Sequence, residues 1–231
     1  MTDSLHDVAD IAALADEVRR ELYLYVSAQE SPVSRDQAAA ALDLPRHQAA
    51  FGLDRLESAG LLQTDYVRLS GRTGPGAGRP SKVYRRADRE ISVSLPDRDY
   101  VLAGELMAQA ITTATRDQVP VHTALAEVAA DRGRQIGRQA SGAGGHPHAI
   151  ATAALVRYGY EPRDDGADIV LINCPFHSLA QEHPDLVCGM NESLLSGMCD
   201  SIGGMSAHLE PGERRCCVVL RARPTGTAPD D

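Results

Sequence analysis

The sequence predicts an α+β protein: three helices and a long β-hairpin at the N-terminus, a central helical region, and a small C-terminal α/β unit that carries the cysteines. Three observations support this. Helical periodicity with caps and breakers fills most of residues 7–58 and 97–139. Alternating segments at 62–69 and 81–86 bracket a Gly/Pro/Arg-rich tip, the pattern of a hairpin. All five cysteines lie beyond residue 173, behind a Gly-rich stretch at 141–147. The expected units are 1–96, a helical linker and dimerisation region at 97–140, a cysteine-containing unit at 148–223 and a disordered tail at 224–231.

In the first unit, Val8, Ile11, Ala15, Val18, Leu22 and Tyr25 recur at steps of three and four, predicting one helix over 7–29. Ser31-Pro32-Val33-Ser34 breaks it. Ser34 can cap a second helix, Arg35 to Leu42, with Gln37 completing a capping box. Asp43-Leu44-Pro45 makes a turn into a third helix, Pro45 to Ser58, which buries Ala49, Leu53 and Leu56 and stops at Gly60. Strands at Leu62–Leu69 and Ser81–Arg86 flank the tip Gly71–Pro80. Beyond Pro96, Leu102, Leu106, Ala110 and Ala114 line one face of a helix from Asp97 to Thr115. Pro120 interrupts it, and another helix runs to about Gln139. The last unit reads as a helix Ala149–Tyr158, a strand Ile169–Asn173, a cysteine-bearing helix ending near Gly203, and strands Met205–Leu209 and Cys216–Arg221.

The net charge of −9 argues against a nucleic-acid partner until its distribution is considered. Between Pro45 and Arg89 there are nine Lys or Arg against four Asp or Glu, so a basic hairpin sits inside an acidic chain. No apolar run is long enough to span a bilayer, and no basic residue precedes Arg19 as a secretory leader requires. A cytoplasmic protein is expected, with no membrane partner and with thiols rather than disulfides.

Helix, short helix, turn, helix, hairpin is the order of a winged helix-turn-helix, in which the third helix enters the major groove. Its polar residues Arg46, His47, Gln48 and Arg55 are candidate contacts to a double-stranded DNA operator. The hairpin adds Arg68, Arg72, Arg79, Lys82, Arg85 and Arg86 as phosphate ligands. The competing reading is a structural module with a solvated basic face. Nothing resembles a phosphate-binding loop, a nucleotide fingerprint or a Ser-His-Asp set, so no enzyme is expected. The only enzymatic reading is Cys174 as a nucleophile.

The segment LPRHQAAFGLDRLESAGLL with GRPSKVYRR resembles the winged helix of ArsR/DeoR-like bacterial regulators. NCPFHSLAQEHPDLVCGMNESLLSG with RRCCVVL resembles the C-terminal domain of SufR-type repressors of iron–sulfur assembly genes. That resemblance implies a repressor with an iron–sulfur cluster, [4Fe–4S], held by Cys174, Cys188 and Cys216, and the usual two-fold half-site recognition by winged helices leads to the expectation of a homodimer. The fourth ligand stays open among His177, His183, Cys199, a small molecule or a vacant position. If Cys216 and Cys217 lie in a strand, only one can face the site. Zinc, or a metal-free thiol switch, is the alternative.

Overall fold

The computed structural model describes residues 2–68, 80–142 and 144–223, with side chains from Asp7 onward. The chain forms two compact units, one ending at Val93 and one beginning at Ser94. Arg72, Arg79 and the tail 224–231 lie outside the described residues.

The first unit contains α1 (Thr2–Ala12), a 3-10 turn (Ala13–Ala15), α2 (Glu17–Ser27), β1 (Val33–Ser34), α3 (Arg35–Ala41), α4 (Arg46–Ser58), β2 (Leu62–Val67) and β3 (Ser81–Arg86). The single helix expected over 7–29 is in fact broken at Asp16. Its backbone is extended (φ −74°, ψ 130°), and its carboxylate accepts the Arg19 N–H, starting a new helix. Arg19 and Arg20 then donate to the freed carbonyls of Ala13 and Leu14, at 2.6 and 3.1 Å. These local polar bonds override a continuous apolar period. The expected capping box forms, with Ser34 N–H donating to Gln37 Oε1 and Gln37 N–H to Ser34 Oγ. The sheet is antiparallel in the order β1-β3-β2. Leu22, Ala49, Leu53, Leu56 and Tyr84 build the core beneath it.

The second unit contains α5 (Tyr100–Asp117), α6 (Val121–Ser141), α7 (Pro147–Arg157), β4 (Pro162–Asp165), β5 (Asp168–Leu171), α8 (His177–Glu182), α9 (Pro184–Ile202), β6 (Met205–Leu209) and β7 (Val218–Ala222). Its sheet runs β4-β5-β7-β6, antiparallel throughout. The helices expected as a linker share one core with the cysteine segment: Leu106 and Leu125 belong to the same cluster as Phe176, Met190 and Val218. Glycines bring α6 and α9 close. A Cβ on Gly133 or Gly197 would strike a carbonyl oxygen of the opposite helix, Leu194 or Ala130. Two elements were not expected: β4, joined to β5 through Gly166 at φ 67°, and the short α8. The last strand begins at Val218, not Cys216. The chain reaches it from a loop in which Arg214 has φ 55°, so both cysteines fall in the lead-in.

Candidate nucleic-acid interface and candidate metal centre

α4 buries Ala49, Gly52, Leu53 and Leu56, which turns Arg46, His47, Gln48 and Arg55 to solvent. Pro45 precedes the helix and offers no side-chain cap, so the first-turn amides are not sealed by a neighbouring side chain. Arg46 pairs with Asp36, but both are largely exposed, and such a pair exchanges readily for a phosphate. Arg68 and Arg86 are exposed at the described ends of the hairpin strands. Arg85 is exposed too, with Asp65 at 3.7 Å and Asp88 at 3.6 Å.

Lys82 has a different surrounding from the one its position in the hairpin implies. Its ammonium bonds Asp54 at 2.9 Å and also Glu57, and its side chain is only 19% exposed. Asp54 further accepts from Tyr84 Oη (2.7 Å) and from Arg35 Nη2 (2.6 Å), while Arg35 Nε donates to Tyr84 Oη (2.8 Å). Thr64 donates to Glu57 at 2.8 Å. Lys82 thus braces the hairpin against the recognition helix, reducing its availability to phosphate. Arg35, Asp54, Glu57 and Tyr84 were not singled out from sequence, because their partners lie up to 49 positions away.

Burial alone would raise the Asp54 carboxyl, but the bonds from Tyr84, Lys82 and Arg35 outweigh it and pull it down to about 2. Tyr84 is pushed up to about 12, first by burial and then by its bond to Asp54. A depressed carboxyl stabilises the fold above its unfolded value of 3.8 and stops doing so as pH falls through 2. With solvent screening of a side chain 42% exposed, about 1 kcal/mol should be lost across that window. Urea midpoints of the native protein and Asp54→Asn, followed from pH 5 downward, should converge as the acid is approached. Parallel curves would exclude this role.

In the second unit, cysteine side chains from three places meet. Cys174 follows β5, Cys188 lies on α9, and Cys216 and Cys217 lead into β7. Their thiols bear on one another's protonation in sequence, Cys174 with Cys216, Cys216 with Cys217, and Cys217 with Cys188. Cys174 and Cys216 are buried, while Cys188 and Cys217 are half-buried. The backbone amides of Phe176 and Val218, two residues on, favour the charged forms of Cys174 and Cys216. Asn191, 1% exposed, donates Nδ2 to Cys216 Sγ at 3.2 Å and accepts from the Tyr160 hydroxyl. The expected rule that one of Cys216 and Cys217 must face away does not apply, since neither lies in the strand.

Contact with Cys216, and then burial, pushes the Cys174 thiol well up, against the Phe176 amide and the Arg98 charge. Cys216 is drawn down by Cys174, but contact with Cys217 and burial raise it to about 11. Burial raises Cys188 and pushes Cys199 up to about 12. Thiols held in this way keep their protons at neutral pH, the opposite of an activated nucleophile. A bound cation would draw those protons off. The donor set is soft sulfur with the Asn191 amide aimed at Cys216, chemistry of the kind that iron–sulfur ligation uses. Among the described residues, no three His, Cys, Asp or Glu side chains are grouped to hold a single ion. His177 and His183 are exposed. Cys199 is on α9 eleven residues after Cys188, ~16 Å along the axis.

The Cys174 loop is pinned to the segment where the second unit begins. Arg98 Nη1 donates to Asn173 Oδ1 and, at 2.9 Å, to the Cys174 carbonyl. Asn173 Nδ2 donates to the carbonyls of Asp97 (3.0 Å) and Gly159 (2.8 Å). The Asp99 N–H donates to Pro175 O at 3.1 Å, while the Asp99 side chain caps α5. No local sequence signal marked Arg98, which acts 75 positions away.

Residues 14–64 match the model of a helix-turn-helix domain family. The N-terminal unit is a DNA-binding helix-turn-helix domain. The match runs from the 3-10 turn through α2, α3 and α4 into β2, so it covers the helices that position Arg46, His47 and Gln48. The β2–β3 hairpin beyond it supplies the wing, and the chain is a winged-helix transcription regulator. No curated protein and no solved structure matches the chain. Among the described residues, no helix is long and apolar enough to cross a membrane.

Proposed function

We propose that this regulator is a homodimeric repressor whose operator affinity is set by an iron–sulfur cluster, [4Fe–4S], held by Cys174, Cys188 and Cys216, and that it acts on iron–sulfur assembly or iron- and redox-response genes. The observation that supports this reading is that thiols from a post-strand loop, a helix and a strand lead-in bear on one another, with the Asn191 amide donating to Cys216. When bound, the cluster supplies Fe–S bonds that respond to oxidation and iron supply. The protein's part is to hold the sulfurs: Phe176, Val218 and Asn191 stabilise their negative charge, and Arg98 ties the Cys174 loop to residues 97–99. Two copies related by a two-fold axis match the usual half-site arrangement of helix-turn-helix operators. Arg46, His47, Gln48 and Arg55 then address base edges, and Arg68, Arg85 and Arg86, with Arg72 and Arg79, address phosphates.

A metal-free thiol sensor is the second reading, favoured by the half-buried position of Cys188 and Cys217. Zinc is the third. Metal and acid-labile sulfide analysis of anaerobically purified protein separates the three. About four irons and four sulfides per chain are expected. Operator duplexes selected from a random pool should bind roughly 10–100-fold more weakly once the cluster is removed. Cys174→Ser should lack the cluster and bind at the weak level. Colourless, iron-free protein with full operator affinity would overturn the proposal.

A further inference from the structure

We infer that Lys82 and Asp54 are positioning residues for operator recognition: their ion pair holds the β2–β3 hairpin on the recognition helix α4, and Lys82 itself binds no phosphate. This rests on DNA binding by the first unit and is independent of any cluster in the second. Asp54 and Glu57 lie three residues apart on α4, and Lys82 and Tyr84 two residues apart on β3, so each pair shares a face of its element. The Lys82 ammonium therefore reaches two carboxylates at once, Asp54 at 2.9 Å and also Glu57. Thr64 on β2, the ladder partner of Tyr84, donates to Glu57 as well, so both hairpin strands are tied to α4. Arg35, the first residue of α3, closes the network by donating to both Asp54 oxygens, at 2.8 and 2.6 Å.

Lys82 and Arg35 line the groove between the hairpin and the first turns of α3 and α4, where a cation would ordinarily be read as a phosphate ligand. Their charge is already answered from within the unit. The Lys82 ammonium also sits 5.2 Å from the centre of the buried Tyr84 ring, which occupies its third side. Arg68, Arg85 and Arg86 are exposed by contrast and remain the phosphate ligands of the hairpin. Phosphate contacts set the register in which a recognition helix meets base edges. A hairpin free to shift on α4 keeps its phosphates but no longer holds the helix in one register. Loss of the tie therefore costs discrimination between sequences more than affinity for DNA in general.

The test measures binding of the full native chain, Lys82→Met, Lys82→Arg and Asp54→Asn, each checked for folding by circular dichroism. The probes are a duplex selected from a random pool and a scrambled duplex of the same composition, across a salt series. Lys82→Met should lower the ratio of selected to scrambled affinity about 10-fold, with the native slope of log affinity against log salt. Lys82→Arg can bridge the same two carboxylates and should recover most of that ratio. Asp54→Asn should lower the ratio in the same way. It also frees Arg35 and Lys82 toward the groove, so its slope should steepen by about 0.9 for each of them that takes up a phosphate.

A Lys82→Met slope shallower by about 0.9, with equal weakening on both duplexes, would make Lys82 a phosphate ligand and overturn the assignment. A native slope and a native ratio, accompanied only by a lower urea midpoint, would reduce the network to a structural brace and overturn it too. If Lys82→Met fails to fold, the near-isosteric Asp54→Asn decides by its ratio, and a native ratio there overturns the assignment. Native protein that enriches no sequence from the pool would instead overturn the operator reading itself, and this role with it.

Discussion

Gly133→Ala should destabilise the second unit by about 2 kcal/mol, although alanine is the better helix former. A Cβ at Gly133 would land on the Leu194 carbonyl oxygen, 2.8 Å from the Met198 nitrogen and 2.9 Å from the Leu194 carbonyl carbon. All are backbone atoms of α9, so no side chain can rotate away. Relief requires moving the two helices apart. Overpacking of this kind costs roughly 1–3 kcal/mol or more, against about 1 kcal/mol gained in helix propensity. α9 carries Cys188 and Asn191, so under the proposed cluster reading the same shift should also reduce iron loading. Gly104, on the exposed face of α5 with no atom within 4 Å of where a Cβ would sit, is the control. Gly104→Ala should be neutral or slightly stabilising. Denaturant midpoints decide the matter: equal midpoints for the two variants would show that α6 and α9 separate without cost.

Under the proposed cluster reading, Arg98→Ala should uncouple cluster occupancy from operator binding. Arg98 supplies no cluster ligand, but it links Asn173 and the Cys174 carbonyl to the start of the second unit, and residues 97–99 bond back through Asn173 and Pro175. These bonds connect the Cys174 loop with residues 97–99 inside the second unit. Coupling between sites is typically worth 1–3 kcal/mol, or about 5–150-fold in affinity. In Arg98→Ala the ratio of operator affinities with and without cluster should collapse toward one, with native iron and sulfide content. Arg98→Lys keeps the charge but loses the fork and should recover only part of that ratio. A native ratio in Arg98→Ala, or loss of its cluster, would show that Arg98 does not transmit the signal.

Much of the first unit was legible because its signals are local. Ser34 and Gln37 are three residues apart and form their cap within one turn. Ala49, Leu53 and Leu56 share a face of α4 through its period alone. The break at Asp16 escaped because an even apolar stripe concealed a capping carboxylate and two arginines that fold back on the preceding carbonyls. Lys82 looked like another basic hairpin residue. Its partners Asp54 and Glu57 lie 28 and 25 positions earlier, and only packing of the hairpin on α4 brings them together.

The second unit divides in the same way. Its helices and most of its strands follow from periodicity, and the placement of every cysteine beyond residue 173 can be read directly. Composition also shows a basic hairpin in an acidic chain, and the order of elements shows a helix-turn-helix. Tertiary structure alone decided that Asn191 bonds both Tyr160 and Cys216, and that Arg98 reaches Asn173 and the Cys174 carbonyl. Caps and amphipathic faces depend on neighbours within a turn or two, whereas a charge network or a sulfur cluster depends on contacts between residues that the sequence keeps far apart.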